Sequence, residues 1–196
     1  MGLSEFVLLV DHFLRALPAW ILLLCVYHQF LYPSSFSVFL LAGYAVNFLA
    51  NGILRTLAKK IYALWEHRQG DVVVLPFFGR GLRPLGARST GVFNYETSGP
   101  SSKPGFGLPS GHLQMASFYF RLLTRLMHFP SFLPPGLGAG FVTAFPLFGF
   151  CLLVFLCFQR VCILEAHTYG QVFWGMVAGV LLADSYLLFG SHMLSF

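Results

Sequence analysis

The sequence predicts an all-α integral membrane protein, built as a helical bundle of five to six transmembrane helices. Of its 196 residues, 57% are hydrophobic and only 10% are charged, whereas a soluble domain carries roughly 25% charged residues. No Asp, Glu, Lys or Arg occurs from Ala16 to Leu54, or from Leu126 to Gln159. Each stretch exceeds the roughly 20 apolar residues that one crossing requires. We therefore treat residues 1–196 as a single membrane domain.

The N-terminal part predicts one interfacial helix and two spans. Residues 5–14 form a short amphipathic stretch, which we expect to lie in the membrane interface. The first span is predicted over 17–32 and the second over 36–58. Asn47 and Asn51 share one face of the second span because they lie four residues apart. They either join helices by hydrogen bonds inside the membrane or support a functional site.

A long polar connection, residues 61–111, leads to the third span. It begins as a helical continuation and then becomes rich in Gly, Pro and Ser, and loops of this length are usually functional or disordered. Positive charge exceeds negative charge in this part of the chain. That excess is typical of a cytoplasmic loop, and it also suits a substrate that bears phosphate. The remaining spans are predicted over 112–128, 137–158 and 168–189.

The order of the spans decides which helix ends share a membrane face. The end of the second span, the start of the third, the end of the fourth and the start of the fifth must lie on one side. Those four ends carry Arg55, His112, Arg160 and His167. Basic and histidine side chains are therefore gathered at one end of the bundle, which scattered snorkelling charges do not require.

The segment Pro109-Ser110-Gly111-His112 combines a turn with a helix start. Ser110 stands at the N-cap position, just before the apolar run from Leu113. A helix start offers unpaired N–H groups and the positive end of the helix dipole, so it can hold an anion. His112 can give or take a proton near neutral pH. The segment is therefore a candidate anion site with an acid–base group beside it.

Hydrolysis of a phosphate ester through a covalent intermediate has three requirements. It needs a nucleophile, an acid for the leaving oxygen, and cations around the phosphoryl oxygens. His167 and His112 can fill the first two roles. Arginine suits the third role because its planar fork binds two oxygens at once. The candidate cations are Arg83, Arg160 and one of Arg55 and Lys59.

Three segments, in this order, resemble the signature of the type 2 phosphatidic acid phosphatase superfamily, which also contains the vanadium haloperoxidases. They are Arg83-Pro84, Pro109-Ser110-Gly111-His112, and Arg160 with His167. The family pattern is Lys-x6-Arg-Pro, then Pro-Ser-Gly-His, then Ser-Arg-x5-His-x3-Asp. The stretch from His167 to Gln171 is similar to the polyisoprenyl (dolichyl) diphosphatase branch, in which Gln replaces the terminal Asp. The resemblance implies the helical core that this superfamily shares.

The resemblance also implies a role for each matched residue. His167 is expected to be the nucleophile and to form a phosphohistidine. His112 is expected to be the acid for the leaving group and later to activate water. Gln171, one helical turn after His167, is expected to orient the imidazole. The groups expected to hold phosphoryl oxygens are Arg83, Arg160, Ser110, Gly111 and Arg55.

The first cation departs from the family pattern. Pro76 stands seven residues before Arg83, where the family has Lys. The segment from Asn51 to Arg55 resembles the context that carries this Lys in relatives, so we expect Arg55 to take its place across an insertion. The alternatives are Lys59, Lys60 and Arg80.

The third motif departs from the pattern at two points. Gln159 replaces the Ser that precedes Arg160 in the family. Six residues, instead of five, separate Arg160 from His167, and a one-residue bulge in the loop can absorb the difference. Both departures leave a catalytically inactive protein, one that binds lipid phosphate or a partner, as an alternative to an enzyme.

From the resemblance we expect a phosphatase acting on a lipid phosphate or diphosphate at the membrane surface. A polyisoprenyl diphosphate is the first choice of substrate, and phosphatidate or another lipid phosphate is the alternative. A vanadate-dependent haloperoxidase is disfavoured because relatives of that kind are soluble. No metal or other cofactor is expected, since arginines supply the charge, and no nucleic-acid motif is present. The expected location is an internal membrane such as the endoplasmic reticulum, with several crossings.

Overall fold

The structure, a computed structural model, describes residues 13–14, 16–69, 81–84, 106–128 and 139–190. Within those ranges the protein is helical, and its only β-type pairing is the single bridge between Leu82 and Phe106. A π-helical turn, Gln159–Ile163, continues the fourth helix. The predicted interfacial helix 5–14 and the connection 61–111 lie mostly outside the described ranges. The helices are α1 Leu17–Leu31, α2 Ser35–Gln69, α3 Gly111–Leu126, α4 Ala139–Phe158 and α5 Tyr169–Gly190.

Three helical stretches in the described part of the chain are long and apolar enough to cross a membrane: Ser35–Arg68, Gly140–Ile163 and Tyr169–Gly190. They correspond to the predicted spans 36–58, 137–158 and 168–189. The other two helices are shorter, because α1 has 15 residues and α3 has 16, against roughly 20 for a full crossing. Helix α3 lies inside the bundle, where residues 112–119 are all buried, so its sides face other helices.

Helix α2 is much longer than the predicted span. It continues to Gln69 and has 35 residues, which corresponds to about 50 Å. No Gly or Pro interrupts the chain between Gly52 and Gly70, and Ala, Leu, Lys and Glu favour the helix there. The helical continuation that was expected at the start of the polar connection is therefore confirmed, as the last turns of α2.

Helices α3 and α5 run parallel and pack closely. At one end the backbone N–H of Ser110 donates to the carbonyl of Gln171 at 3.1 Å. At the other end Arg121 forms a two-pronged ion pair with Asp184, with N···O distances of 2.9 and 3.0 Å. Gly175 and Gly179 make the approach possible, since a Cβ at Gly175 would lie 2.6 Å from the Ser110 carbonyl oxygen. Small residues at this spacing are typical of close helix packing in membranes.

We predict that Gly179→Ala destabilises the protein by about 1–3 kcal/mol, because the added methyl group would meet Ser117 and the backbone of Gln114. Thermal unfolding in detergent measures the effect. Gly52→Ala is the matched control, since a Cβ at Gly52 has no atom within 4 Å. Equal melting temperatures for the two variants would contradict the packing.

Candidate active site

Five segments meet at one end of the bundle. They are the later part of α2, residues 81–84, residues 106–110 before α3, the π-helical turn after α4, and residues 166–171 at the start of α5. The topology inferred from the sequence requires four of these to share a membrane face. The fifth segment, 81–84, carries Arg83. The matched residues buried there are Ser110, His112, Arg160, His167 and Gln171.

His167 lies at the centre of the site, between the π-helical turn and α5. Its side chain is buried, and its Nδ1 lies 3.1 Å from Oε1 of Gln171. Gln171 follows one helical turn later, so the two side chains share a helix face. The expected partnership of imidazole and amide is therefore present in the structure.

Thr168 and Gln171 form a capping box at the start of α5. The backbone N–H of Gln171 donates to Oγ1 of Thr168 at 3.3 Å. The backbone N–H of Thr168 donates to Oε1 of Gln171 at 3.2 Å. Such reciprocal bonds satisfy two otherwise unpaired N–H groups at a helix start. They fix the Gln171 side chain beside His167.

The orientation of the Gln171 amide follows from two bonds with opposite requirements. Its Nε2 donates to the carbonyl oxygen of Leu82 at 2.8 Å, while Oε1 accepts from the N–H of Thr168. A carbonyl needs a donor and an N–H needs an acceptor, so a flipped amide would lose both bonds. Oε1 therefore faces His167, whose Nδ1 must carry the proton. The lone pair of His167 is left on Nε2.

The positive charges of three arginines act on His167. Burial, followed by the positive charges of Arg83, Arg160 and Arg55, lowers the pKa of His167 from 6.5 to about 3, although the hydrogen bond to Gln171 acts in the opposite direction. The imidazole is therefore neutral at physiological pH. Burial and the charge of Arg55 also lower the pKa of Arg83. These interactions bring together three predicted cations from three separate parts of the chain.

The segment with Arg83 is held against the turn before α3. Gly81 adopts the left-handed conformation, with φ of 67°, and its carbonyl accepts the N–H of Gly107 at 2.9 Å. A Cβ at Gly107 would lie 2.7 Å from Cγ of Arg83 and 2.8 Å from Oε1 of Gln171. Glycine at 107 is therefore what lets Arg83 and Gln171 approach each other.

Arg160 enters the site from the π-helical turn, with its side chain fully buried. A π-helical turn holds one more residue than an α-helical turn, and the N–H of Leu164 donates to the carbonyl of Gln159 at 2.9 Å. Glu165, which is exposed, then takes a left-handed φ of 47°. A widened turn followed by a reversal therefore lies between Arg160 and His167, where the sequence predicts a one-residue bulge.

Ser110 occupies the predicted N-cap position of α3, with an extended backbone, but its side chain caps nothing. Its Oγ is buried and has no hydrogen-bond partner among the described residues. Gly111 starts the helix, and His112, 7% exposed, follows it. The serine hydroxyl, the first N–H groups of α3 and the His112 ring thus form one wall of the site.

An amide network joins α2 to α3 one helical turn before Arg55. Asn51 donates to Gln114 at 2.7 Å, and Gln114 donates to Asn47 at 2.8 Å. Of the two roles weighed for the asparagines, joining the helices is therefore present, and Arg55 lies one turn beyond Asn51 on the same helix. The Nε of Arg55 is buried without a hydrogen-bond partner among the described residues.

Lys59, Lys60 and Arg80 are the alternatives to Arg55 for the cation of the first motif. Lys59 and Lys60 are both exposed. Arg80 lies outside the described residues. Only Arg55 of the three described candidates has a charge that acts on His167. The geometry therefore favours Arg55.

Three contributors to the site were missed in the sequence. Gln114 is fully buried, and a polar side chain between apolar neighbours on a membrane helix is the signal that points to it. Leu82 contributes only its backbone carbonyl and Gly107 only its lack of a side chain. No pattern of side chains in the sequence predicts such backbone roles.

Comparison of the chain with protein-family models, with curated proteins and with solved structures found no match. The functional interpretation therefore depends on the geometry of the site. Within the described ranges, no group of three or more His, Cys, Asp or Glu side chains is placed to hold a metal ion. The site offers positive charge and hydrogen-bond donors, which suit an anion.

We predict that His167 stays neutral down to about pH 4. NMR titration of histidine-labelled protein in detergent, with the signal assigned by His167→Gln, gives the pKa. Arg83→Gln removes a positive charge, so the protonated ring is less disfavoured and the pKa rises toward 6.5. A wild-type pKa close to 6.5, or one that Arg83→Gln leaves unchanged, contradicts the arrangement.

The same shift predicts the pH dependence of stability. Below pH 6.5 the unfolded chain protonates His167, whereas the folded protein keeps it neutral until about pH 3. The folded state therefore loses stability as the pH falls through this window. His167→Gln should flatten the dependence of the melting temperature on pH between those values.

Proposed function

We propose that the protein is a membrane phosphatase that hydrolyses a lipid phosphate or diphosphate through a phosphohistidine at His167. The observation that carries the proposal is the neutral, oriented imidazole of His167 among the charges of Arg55, Arg83 and Arg160. A lone buried histidine is usually structural, and three arginines around it are costly unless an anion joins them. A phosphoryl group fits both the charge and the donors.

In this proposal the phosphoryl group binds to arginine, serine and backbone groups from the segments that meet at this end of the bundle. The arginine guanidinium groups pair with two oxygens each, and the buried Oγ of Ser110 has a hydrogen bond to give. The start of α3 adds N–H donors and the positive end of its dipole. Together they stabilise negative charge where it develops during transfer.

Transfer begins at the lone pair of His167 Nε2. The Nε2–P bond forms while the bond from phosphorus to the leaving oxygen breaks, and His112 gives its proton to that oxygen. The Nδ1–H of His167 keeps its hydrogen bond to Oε1 of Gln171, which stabilises the ring as it gains positive character. His112, now neutral, takes a proton from water as the water oxygen attacks phosphorus and the N–P bond breaks.

The membrane setting favours a lipid substrate. Three helices have the length and apolar character of spans, and the site lies at the helix ends, where lipid headgroups are found. In this proposal the chain crosses an internal membrane, such as the endoplasmic reticulum, several times. The motif resemblance favours a polyisoprenyl diphosphate over phosphatidate.

We predict that purified protein in lipid micelles releases phosphate from a polyisoprenyl diphosphate. His167→Ala should lower kcat on the order of 10³-fold or more, since the nucleophile is lost. His112→Ala should lower kcat as well, and less for a substrate whose leaving group needs no proton. Release of phosphate is measured against time, with phosphatidate as the second substrate.

His67→Ala is the matched control, because His67 is exposed near the end of α2 and lies outside the proposed machinery. It should keep wild-type activity. Equal phosphate release by wild type and His167→Ala would sink the proposal. Activity on phosphatidate alone would retain the chemistry and change the substrate.

A further inference from the structure

We propose that Gln171 is a positioning residue that couples the Arg83 segment to the tautomer of His167, so that the nucleophile is set only when Arg83 is in place. The inference depends on the proposed function and adds a control step to the same site. It follows from a single buried side chain that contacts both partners. Gln171 is fully buried, and its amide touches the backbone beside Arg83 on one side and the imidazole on the other.

The coupling starts from the docking of the Arg83 segment. The carbonyl oxygen of Leu82, adjacent to Arg83, accepts a hydrogen bond from Nε2 of Gln171 at 2.8 Å. Through this bond, the Arg83 segment determines which end of the Gln171 amide, nitrogen or oxygen, faces it. The contact is tight, because a Cβ at Gly107 would lie 2.7 Å from Cγ of Arg83 and 2.8 Å from Oε1 of Gln171.

If the Arg83 segment is not docked, the amide of Gln171 is less firmly oriented, and the tautomer of His167 is less firmly fixed. Without the Leu82 carbonyl, Nε2 of Gln171 has no fixed partner from the segment, and the N–H of Thr168 alone orients the amide. A flipped amide would present Nε2–H to the Nδ1 of His167, which then becomes the acceptor and moves the ring proton to Nε2. In that tautomer the atom facing the substrate has no lone pair.

The coupling requires an amide at position 171. A carboxylate can accept from His167 and Thr168, but it cannot donate to the Leu82 carbonyl, and two oxygens facing each other repel. It would also place a negative charge among the arginines that hold the substrate. If Gln171 only oriented the imidazole, a carboxylate would serve as well or better, because it polarises the ring more strongly.

The test compares Gln171→Glu and Gln171→Met with wild type by kcat, KM and the pH profile. We expect Gln171→Glu to lower kcat/KM on the order of 10²-fold, as a small misplacement of reacting groups does. KM should rise because Arg83 is released, and the acid limb should move to higher pH. Glu66→Gln is the matched control, since it exchanges a carboxylate and an amide at an exposed position on α2, and it should behave as wild type.

A double-mutant cycle measures the coupling itself. Arg83→Ala should lower kcat/KM on the order of 10²-fold alone, and by less than about 10-fold in the Gln171→Met background, where the segment is already released. Additive effects would overturn the coupling. Full activity of Gln171→Glu with an unchanged pH profile would overturn it as well, while leaving the phosphatase proposal intact.

A measurement independent of activity separates the two proposals. The N–H of Gly107 donates to Gly81 of the Arg83 segment, so its hydrogen exchange reports docking. Gln171→Met should raise that exchange at least about 10-fold over wild type, because one anchor of the segment is lost. Unchanged exchange contradicts the coupling even if the protein is active. Faster exchange in a protein that hydrolyses no lipid phosphate supports the coupling and rejects the phosphatase.

Discussion

The hydrogen bonds of Gln171 hold the candidate site together. Its side-chain amide links the nucleophile candidate to the carbonyl of Leu82, and its backbone carbonyl accepts the N–H of Ser110. Because the residue is fully buried, each polar group left unsatisfied would cost roughly 1–3 kcal/mol. The start of α5, the segment with Arg83 and the turn before α3 are therefore held in one arrangement, with a single tautomer of His167.

The charge distribution is the most unusual property of that arrangement. In a chain with only 10% charged residues, Arg55, Arg83 and Arg160 are placed where their charges reach one buried imidazole. Desolvated cations of like sign destabilise a fold unless an anion or dipole compensates them. The close packing of α3 on α5 at Gly175 offsets the repulsion between these cations, because it holds the starts of both helices in fixed positions. The helix packing supplies the stability that offsets the unfavourable charges.

The sequence predicts the helical class, the three of its five expected spans that are long and apolar enough to cross a membrane, and the gathering of basic and histidine residues at one end, since these depend on composition and span order. The site residues are recognisable because their side chains carry the chemistry. The carbonyl of Leu82 and the space at Gly107 are invisible in sequence, because backbone groups are the same at every position. The helical continuation of the second span is predictable as well, because no Gly or Pro interrupts residues 53–69 and their composition favours a helix. The π-helical turn before His167 is not predictable from sequence, because the difference between α- and π-helical hydrogen bonding depends on how the turn packs.

The most direct test is to find the phosphoryl group on the protein. His112→Asn should accumulate the intermediate from a phosphate ester whose leaving group needs no proton, because water then lacks its base. Mass spectrometry of peptides after an alkaline quench locates the group, and NMR of the labelled ring distinguishes its two nitrogens. We predict phosphate on Nε2 of His167, the atom left unprotonated by the bond between Nδ1 and Gln171. Phosphate on Nδ1, on another residue, or on none would contradict it.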